Sequence, residues 1–238
     1  MLGLRGVHPY HLRGTGLPVW VRHPGDSWTL EEIFGASAYA LPPEIREALE
    51  GKPEVVVADL GANVGLFGTF ILAVLPHARA VGYEPDPGNT AICRRTLAWA
   101  ERAGRYRLIE AAAGVRPGVT SFEPGLGGRS HVADAPGPNV IVVRIEDVMP
   151  LLAASDLAKI DIEGGEWDIL SDERLRASGP SALVLEFHAD RCRAADPERV
   201  ATDLLLAADY ELVPPPRPFY ADEFPAGQGM LWATRRPR

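Results

Sequence analysis

Cysteine is nearly missing from this chain: 238 residues contain two, Cys93 and Cys192. Two thiols make no disulfide framework, so stability has to come from an ordinary core; both read as small buried side chains in helix-like surroundings. No apolar run approaches the roughly 20 residues that cross a bilayer. The first residues also lack the basic-then-apolar order of a signal peptide, and a cytoplasmic protein is expected. Positive charge is scarce too, with 24 Lys and Arg against 32 Asp and Glu and a net charge of −8. Nucleic acid is therefore not the expected partner, since phosphate binding needs concentrated Lys and Arg. Internal repeats and low-complexity linkers are absent. A composition of 46% hydrophobic and 24% charged residues suits one globular domain over 1–238.

What is present is a rhythm. Residues 1–50 stand apart: "LPVWVRHPGD" reads as a strand ending in a turn, and "SWTLEEIFGASAYALPPEIREALEG" as helical pieces with Ser27 as N-cap. This segment is expected to cover a core formed by 51–238. From "EVVVADL" onward, short β-branched runs alternate with helical spacing. "ARAVGYE", "YRLIEAA", "LAKIDIE" and "ALVLEFH" are further strands, and "NVIVVRIEDV" is an edge or accessory strand. The helices include "NVGLFGTFILAVL", "DPGNTAICRRTLAWAERAG", "GEWDILSDERL" and "DPERVATDLLLAAD", the last with Asp196 as cap and Pro197 at its first position. Such alternation predicts an α/β fold with a mostly parallel sheet and helices on both faces. The closing strands "YELVP" and "GMLWATR" have no helix between them, so one of the two runs antiparallel. Ligands in such sheets gather at the carboxyl ends of the strands.

"VVVADLGANVG" places Gly61 and Gly65 in the first strand-to-helix turn. Gly61 permits positive φ, and Gly65 lets a ligand or the sheet come close to the helix. Asn63 is expected to begin that helix, whose free N–H groups favour an anion such as a carboxylate. Glu84 ends the next strand about 20 residues on, where it can accept from two ribose hydroxyls. The spacing is not that of G-x-G-x-x-G. Asp59, just before the turn, would repel a diphosphate and attract an ammonium group. A nucleoside carrying an amino acid and a sulfonium, S-adenosylmethionine, suits this pattern better than NAD or FAD.

Together, "VVVADLGANVGLFGTFIL", "VGYEPDPGN", "EAAAG" and "LAKIDIEGGEWDIL" resemble the FkbM family of S-adenosylmethionine-dependent methyltransferases, in order and spacing, from about Val55 to His188. The resemblance implies a Rossmann-like fold with a seven-stranded sheet. It also implies methyl transfer to a hydroxyl oxygen of a sugar, a glycosylated natural product or a similar small acceptor. It would place the cofactor against Asp59, Gly61, Asn63, Gly65 and Glu84, with the adenine edge near Glu110, Ala111 and Ala112. The N-terminal strand, helix and Tyr39 look like the lead-in segment of the family.

The run "KIDIEGGE" is the charge-rich part. In a strand Lys159, Asp161 and Glu163 share one face, and Glu186 and His188 share a face of "ALVLEFH". Buried unpaired charge is costly, so these rows are expected to climb into a polar cleft. An alcohol acceptor benefits from a general base; His188 has the suitable intrinsic pKa, with Asp161 and Glu163 as competing bases or hydroxyl ligands. Lys159 and Glu186 read as a structural cross-strand pair, Gly164 and Gly165 as a turn, and Glu166 as a cap near the helix start. No metal site is assigned, although Asp161, Glu163 and Glu186 could together hold magnesium. Tyr39, Phe219, Tyr220 and Phe224 are expected as acceptor-pocket walls or lid. Arg129 and His131 read as a solvated loop, and His8 and His11 as an exposed N-terminus. Two alternatives stay open, an NAD(P)-dependent oxidoreductase and a catalytically inactive cofactor-binding partner subunit. Acceptor identity and oligomeric state are not legible.

Overall fold

The structure, a computed structural model, describes residues 6–133, 137–189, 192, 194–216 and 228–236. Its centre is a seven-stranded sheet of Val55–Leu60 (β1), Ala78–Tyr83 (β2), Tyr106–Ile109 (β3), Leu157–Ile160 (β4), Ala182–Phe187 (β5), Tyr210–Val213 (β6) and Gly229–Arg235 (β7). The spatial order is β6-β7-β5-β4-β1-β2-β3. β1 pairs parallel with β2 and β4, and β4 pairs parallel with β5; β7 alone runs antiparallel, to both β5 and β6. The order therefore reverses between β1 and β4, the place where open α/β sheets bind ligands.

Strand alternation divides the core in two. Val55, Val57, Ala182 and Val184 join one apolar cluster with Leu66, Phe67, Ile71 and Leu72 of the helix Leu66–Val74. Ala58, Leu60, Leu183 and Leu185 join the other, with Ile169, Leu170, Ala201 and Leu205. Helices thus cover both faces, which is why these strands are apolar throughout rather than alternating. Each fully buried Leu or Ile contributes about 1.5–3 kcal/mol.

Residues 6–50 pack on the first of these faces. A hairpin (Val7–His11 and Pro18–Arg22) is followed by the helix Ser27–Leu30, a π turn over Glu31–Gly35, and the helix Pro43–Glu50. Val19, Val21, Ile33, Tyr39, Ile45 and Leu49 are buried in the same cluster as β1. His8 and His11 lie on the exposed hairpin strand. Asp26, not Ser27, is the residue before the helix, and Ser27 bonds instead to His23 Nδ1 at 2.7 Å.

Three expected elements are broken in two. The third strand stops at Ile109, and Ala112–Gly114 pairs with Ile141–Asp147 in a separate four-stranded sheet. The helix after β2 divides into Pro87–Thr96 and Ala98–Arg102, and that after β4 into Glu166–Ser171 and Glu173–Ser178, where Asp172 caps the second piece. Cys93 is buried in a helix as expected, whereas Cys192 lies outside one. No helix among the described residues is long and apolar enough to cross a membrane.

Candidate active site

β1 ends in a turn that only glycine can open. Gly61 has φ +84°, and a Cβ built there would lie 1.8 Å from the main-chain oxygen of Asp161. Gly61 and Ala62 donate their N–H groups to Tyr83 O, at 3.0 and 2.8 Å. Asn63 (φ +48°) and Gly65 (φ +85°) are both left-handed, and two such residues cannot lie in a right-handed helix. The helix therefore begins at Leu66, with Gly65 as its N-cap, rather than at Asn63. The close approach that Gly65 permits in this structure is that of the following helix: a Cβ there would meet Leu97 at 2.9 Å and Cys93 at 3.1 Å.

Glu84 follows β2 and is 4% exposed. It accepts from Asn63 N–H and Asp86 N–H, each at 2.8 Å, and from Asn89 Nδ2 at 3.4 Å. Burial raises its pKa to about 7, against the lowering effect of those bonds. Asp86 caps the helix Pro87–Thr96, and its other oxygen accepts from Gly125 N–H (2.7 Å) and the Ser130 hydroxyl (2.8 Å). One aspartate thereby hangs the loop Gly125–Ser130 beside the turn.

Asp59 is placed differently from its expected role at the ligand. It points with Val55 and Val57 into the helix-covered face, fully buried, where Oδ2 accepts the Tyr106 hydroxyl at 2.9 Å. Burial raises its pKa, and it does not line the cavity.

At the ends of β4 and β5 the charges do converge. β4 stops at Ile160, so Asp161 and Glu163 stand on a turn rather than on a strand face, with Glu163 left-handed at φ +54°. Glu166 is completely buried; it accepts from Ile162 N–H and Gly164 N–H at 2.9 Å each, and from His188 Nδ1–H at 3.0 Å. Lys159 does not pair with Glu186. Its ammonium donates to Asp161 Oδ2 and to Gly61 O, both at 2.9 Å, while Glu186 accepts the Tyr39 hydroxyl at 2.7 Å.

This crowding sets the proton positions. Burial would lower the His188 pKa, but the hydrogen bond and charge of Glu166, with Asp161 and Glu163, outweigh it and raise it to about 10. Burial raises Glu163 to about 8 and Glu186 to about 7, and with Glu186 and Asp161 it raises Glu32 to about 9. Burial also pulls Lys159 downward, but Asp161 and Asp59 more than offset it and its pKa ends above the usual value.

All of this opens on a cavity of about 730 Å³. Gly61, Asn63, Glu84, Ala112, Tyr39, Asp161, Glu163, Glu186 and His188 line it. Tyr39 is a buried inner wall, 1% exposed, rather than a lid. Glu110 points outward to Arg94 at 2.7 Å and Ala111 is packed in the core, so neither reaches the cavity. Phe219, Tyr220 and Phe224 lie outside the described residues, as does the Arg129 side chain; His131 is half-buried in the strand His131–Val132. Sequence reasoning missed Glu32. The signal was helical spacing: Trp28, Thr29, Glu32 and Ile33 form one stripe, and all four line the cavity.

A sheet of this order, with a polar cavity at its reversal point, is the fold of S-adenosylmethionine-dependent methyltransferases. The fibrillarin of Aeropyrum pernix, solved with natively bound S-adenosyl-L-methionine, superposes with a TM-score of 0.51 at 13% identity, covering 98% of this chain and 84% of its own. The chain belongs to the FkbM methyltransferase family: residues 59–212 match the methyltransferase FkbM domain. A methyltransferase FkbM from Methylobacillus flagellatus KT has a TM-score of 0.53 at 17% identity over 76% of this chain and 44% of its own. The chain is 29% identical over 188 residues to the AMB antimetabolite synthetase AmbE of Pseudomonas aeruginosa, 75% of this chain but 8% of that protein. It is 26% identical over 186 residues to the 2-O-methyltransferase NoeI of Sinorhizobium fredii, 68% of this chain and 72% of that one.

Proposed function

We propose that the protein transfers the methyl group of S-adenosylmethionine to a hydroxyl oxygen of a small acceptor, a sugar or a glycosylated secondary metabolite. The observation that carries this reading is the joining, in one cavity, of a nucleoside-type end and an acid-and-imidazole end. At the first end, Glu84 presents a carboxylate and Asn63 a buried Oδ1 that has no hydrogen-bond partner among the described residues, two acceptors suited to ribose hydroxyls and an ammonium group. Ala112, Phe122 and Val132 give an apolar wall fit for a flat base. When bound, the cofactor supplies a methyl carbon on a positively charged sulfur.

The chain's own residues then orient the acceptor and receive its proton. His188 is a poor base here, because a nitrogen facing three carboxylates keeps its proton. Glu163 takes the role instead, since no described hydrogen bond occupies its carboxylate and burial makes it more basic than an ordinary one. As the acceptor oxygen attacks the methyl carbon, the carbon–sulfur pair returns to sulfur and the hydroxyl proton passes to Glu163. The 2-O-methyltransferase relative supports an oxygen acceptor, and the carboxylate-rich floor favours a small neutral or cationic molecule over nucleic acid. Incubation with isotopically methyl-labelled S-adenosylmethionine and a panel of sugars and glycosides, read by mass spectrometry, should show a gain of one labelled methyl group. Calorimetry showing preferred binding of NADH over S-adenosylmethionine would overturn the reading.

A further inference from the structure

Three side chains at the ends of β4 and β5 each turn one atom toward a common point. His188 Nε2 stands 4.0 Å from Asp161 Oδ1 and 3.8 Å from Glu186 Oε1, and one ligand atom from each of the three residues lies within 4.8 Å of the others. The two distances from His188 Nε2 are too long for hydrogen bonds. They match donors sharing one ion: at about 2.1 Å from a metal, two ligands subtending roughly 110–145° stand about 3.4–4.0 Å apart.

A second observation is independent of those distances. The far atom of every one of the three is already held by a buried partner: His188 Nδ1 by Glu166, Asp161 Oδ2 by Lys159, and Glu186 Oε2 by the Tyr39 hydroxyl. A metal-binding histidine characteristically anchors its other nitrogen on a carboxylate, and ligating carboxylates are themselves hydrogen-bonded. His188 is 2% exposed, yet among the described residues its Nε2 makes no hydrogen bond; the nearest carboxylate oxygen, of Glu163, is at 3.5 Å.

We propose that Asp161, Glu186 and His188 bind one divalent transition-metal ion on the cavity floor, the ion taking the place of the proton that His188 Nε2 otherwise holds. The mixed nitrogen and oxygen set favours manganese, iron or zinc over magnesium, which prefers oxygen alone. Its role rests on the methyltransferase reading: at this position it would orient the acceptor hydroxyl and increase its acidity. Binding itself does not depend on that reading.

The test is titration of chelator-treated protein with manganese, followed by calorimetry and by the paramagnetic resonance signal of the free ion, with zinc and magnesium in parallel. One manganese per chain is expected, bound more tightly than magnesium. Glu186→Gln and His188→Ala should abolish it, and Glu166→Gln and Tyr39→Phe, which remove no ligand, should weaken it about 10–100-fold. Retained S-adenosylmethionine binding by each variant shows that it has folded. No manganese binding, or binding untouched by both His188→Ala and Glu186→Gln, would overturn the site. Methyl transfer undiminished by chelation would overturn the catalytic role alone. Manganese binding without any methyl transfer would leave the site standing and sink the proposed function.

Discussion

Two pairs of strand ends face each other across the cavity and line it by different means. After β1 and β2 the recognition surface is largely main chain: left-handed residues at 61, 63 and 65, N–H groups tied to Tyr83 O, and one carboxylate, Glu84, held by three donors. After β4 and β5 it is side chain, with four carboxylates around His188 and Lys159. A surface made by the backbone suits a fixed ligand shape, because exchanging side chains hardly alters it. One made of mutually perturbed charges is sensitive to each of them, and is where acceptor choice and chemistry can change.

The largest expected effect comes from breaking the point where the halves touch. Gly61→Ala forces a Cβ into the Asp161 carbonyl. It should cost about 3 kcal/mol or more, lowering the melting temperature by roughly 10 °C, with cofactor binding and turnover lost together. Gly104→Ala, also at positive φ but with nothing within 4 Å, should cost only about 1–2 kcal/mol and spare both activities.

Next in size, Glu163→Gln should reduce kcat about 10²–10⁴-fold while leaving cofactor affinity as it was; steady-state kinetics beside calorimetry checks the split. Loss of affinity with unchanged kcat would mean that the two halves are not separate in function. Glu84→Ala should do the reverse. Loss of charge-assisted hydrogen bonds worth about 1.5–3 kcal/mol weakens S-adenosylmethionine binding about 10–150-fold, with kcat at saturation nearly unchanged.

The smallest effect is one of pH. If Glu84 accepts ribose hydroxyls as a carboxylate, as proposed, cofactor affinity should rise with pH and level off above about 7. Below that it should fall by up to about tenfold per unit, and Glu84→Gln should flatten the profile. The unliganded fold moves the other way. A carboxyl raised on folding takes up its proton earlier than in the unfolded chain, so this group's contribution to stability grows as pH falls from about 7 toward 4.5 and is lost again as pH rises through 7.

Much of this was legible in the sequence. The β-branched runs and helical spacing showed the sheet, its antiparallel strand and the glycine turn, because strand and helix periods are local properties. The charged groups at 161, 163, 186 and 188 stood out because charge in an apolar strand needs an outlet. Partners were less legible. Lys159 lies opposite both Asp59 and Val184 in register, and only three-dimensional packing selects Asp161 over Glu186. Asp59 shows the same limit: its position before the turn suggested a ligand contact, and the Tyr106 hydroxyl from β3 took it. Glu32 was hidden because its charge is isolated in sequence and joins the others only through the tertiary fold.

The first fifty residues reach further than a cover would. Arg22 from the hairpin pairs with Asp26 and donates to Asn89 Oδ1, and Asn89 in turn donates to Glu84; Tyr39 holds Glu186, and Glu32 adds a carboxylate to the floor. Anyone grafting a foreign leader onto this core to change the cavity floor would also be editing the support of Glu84, three links removed. Exchanges should therefore keep Arg22, Asp26 and Tyr39 as a unit and vary the stripe at 28, 29 and 33 around them.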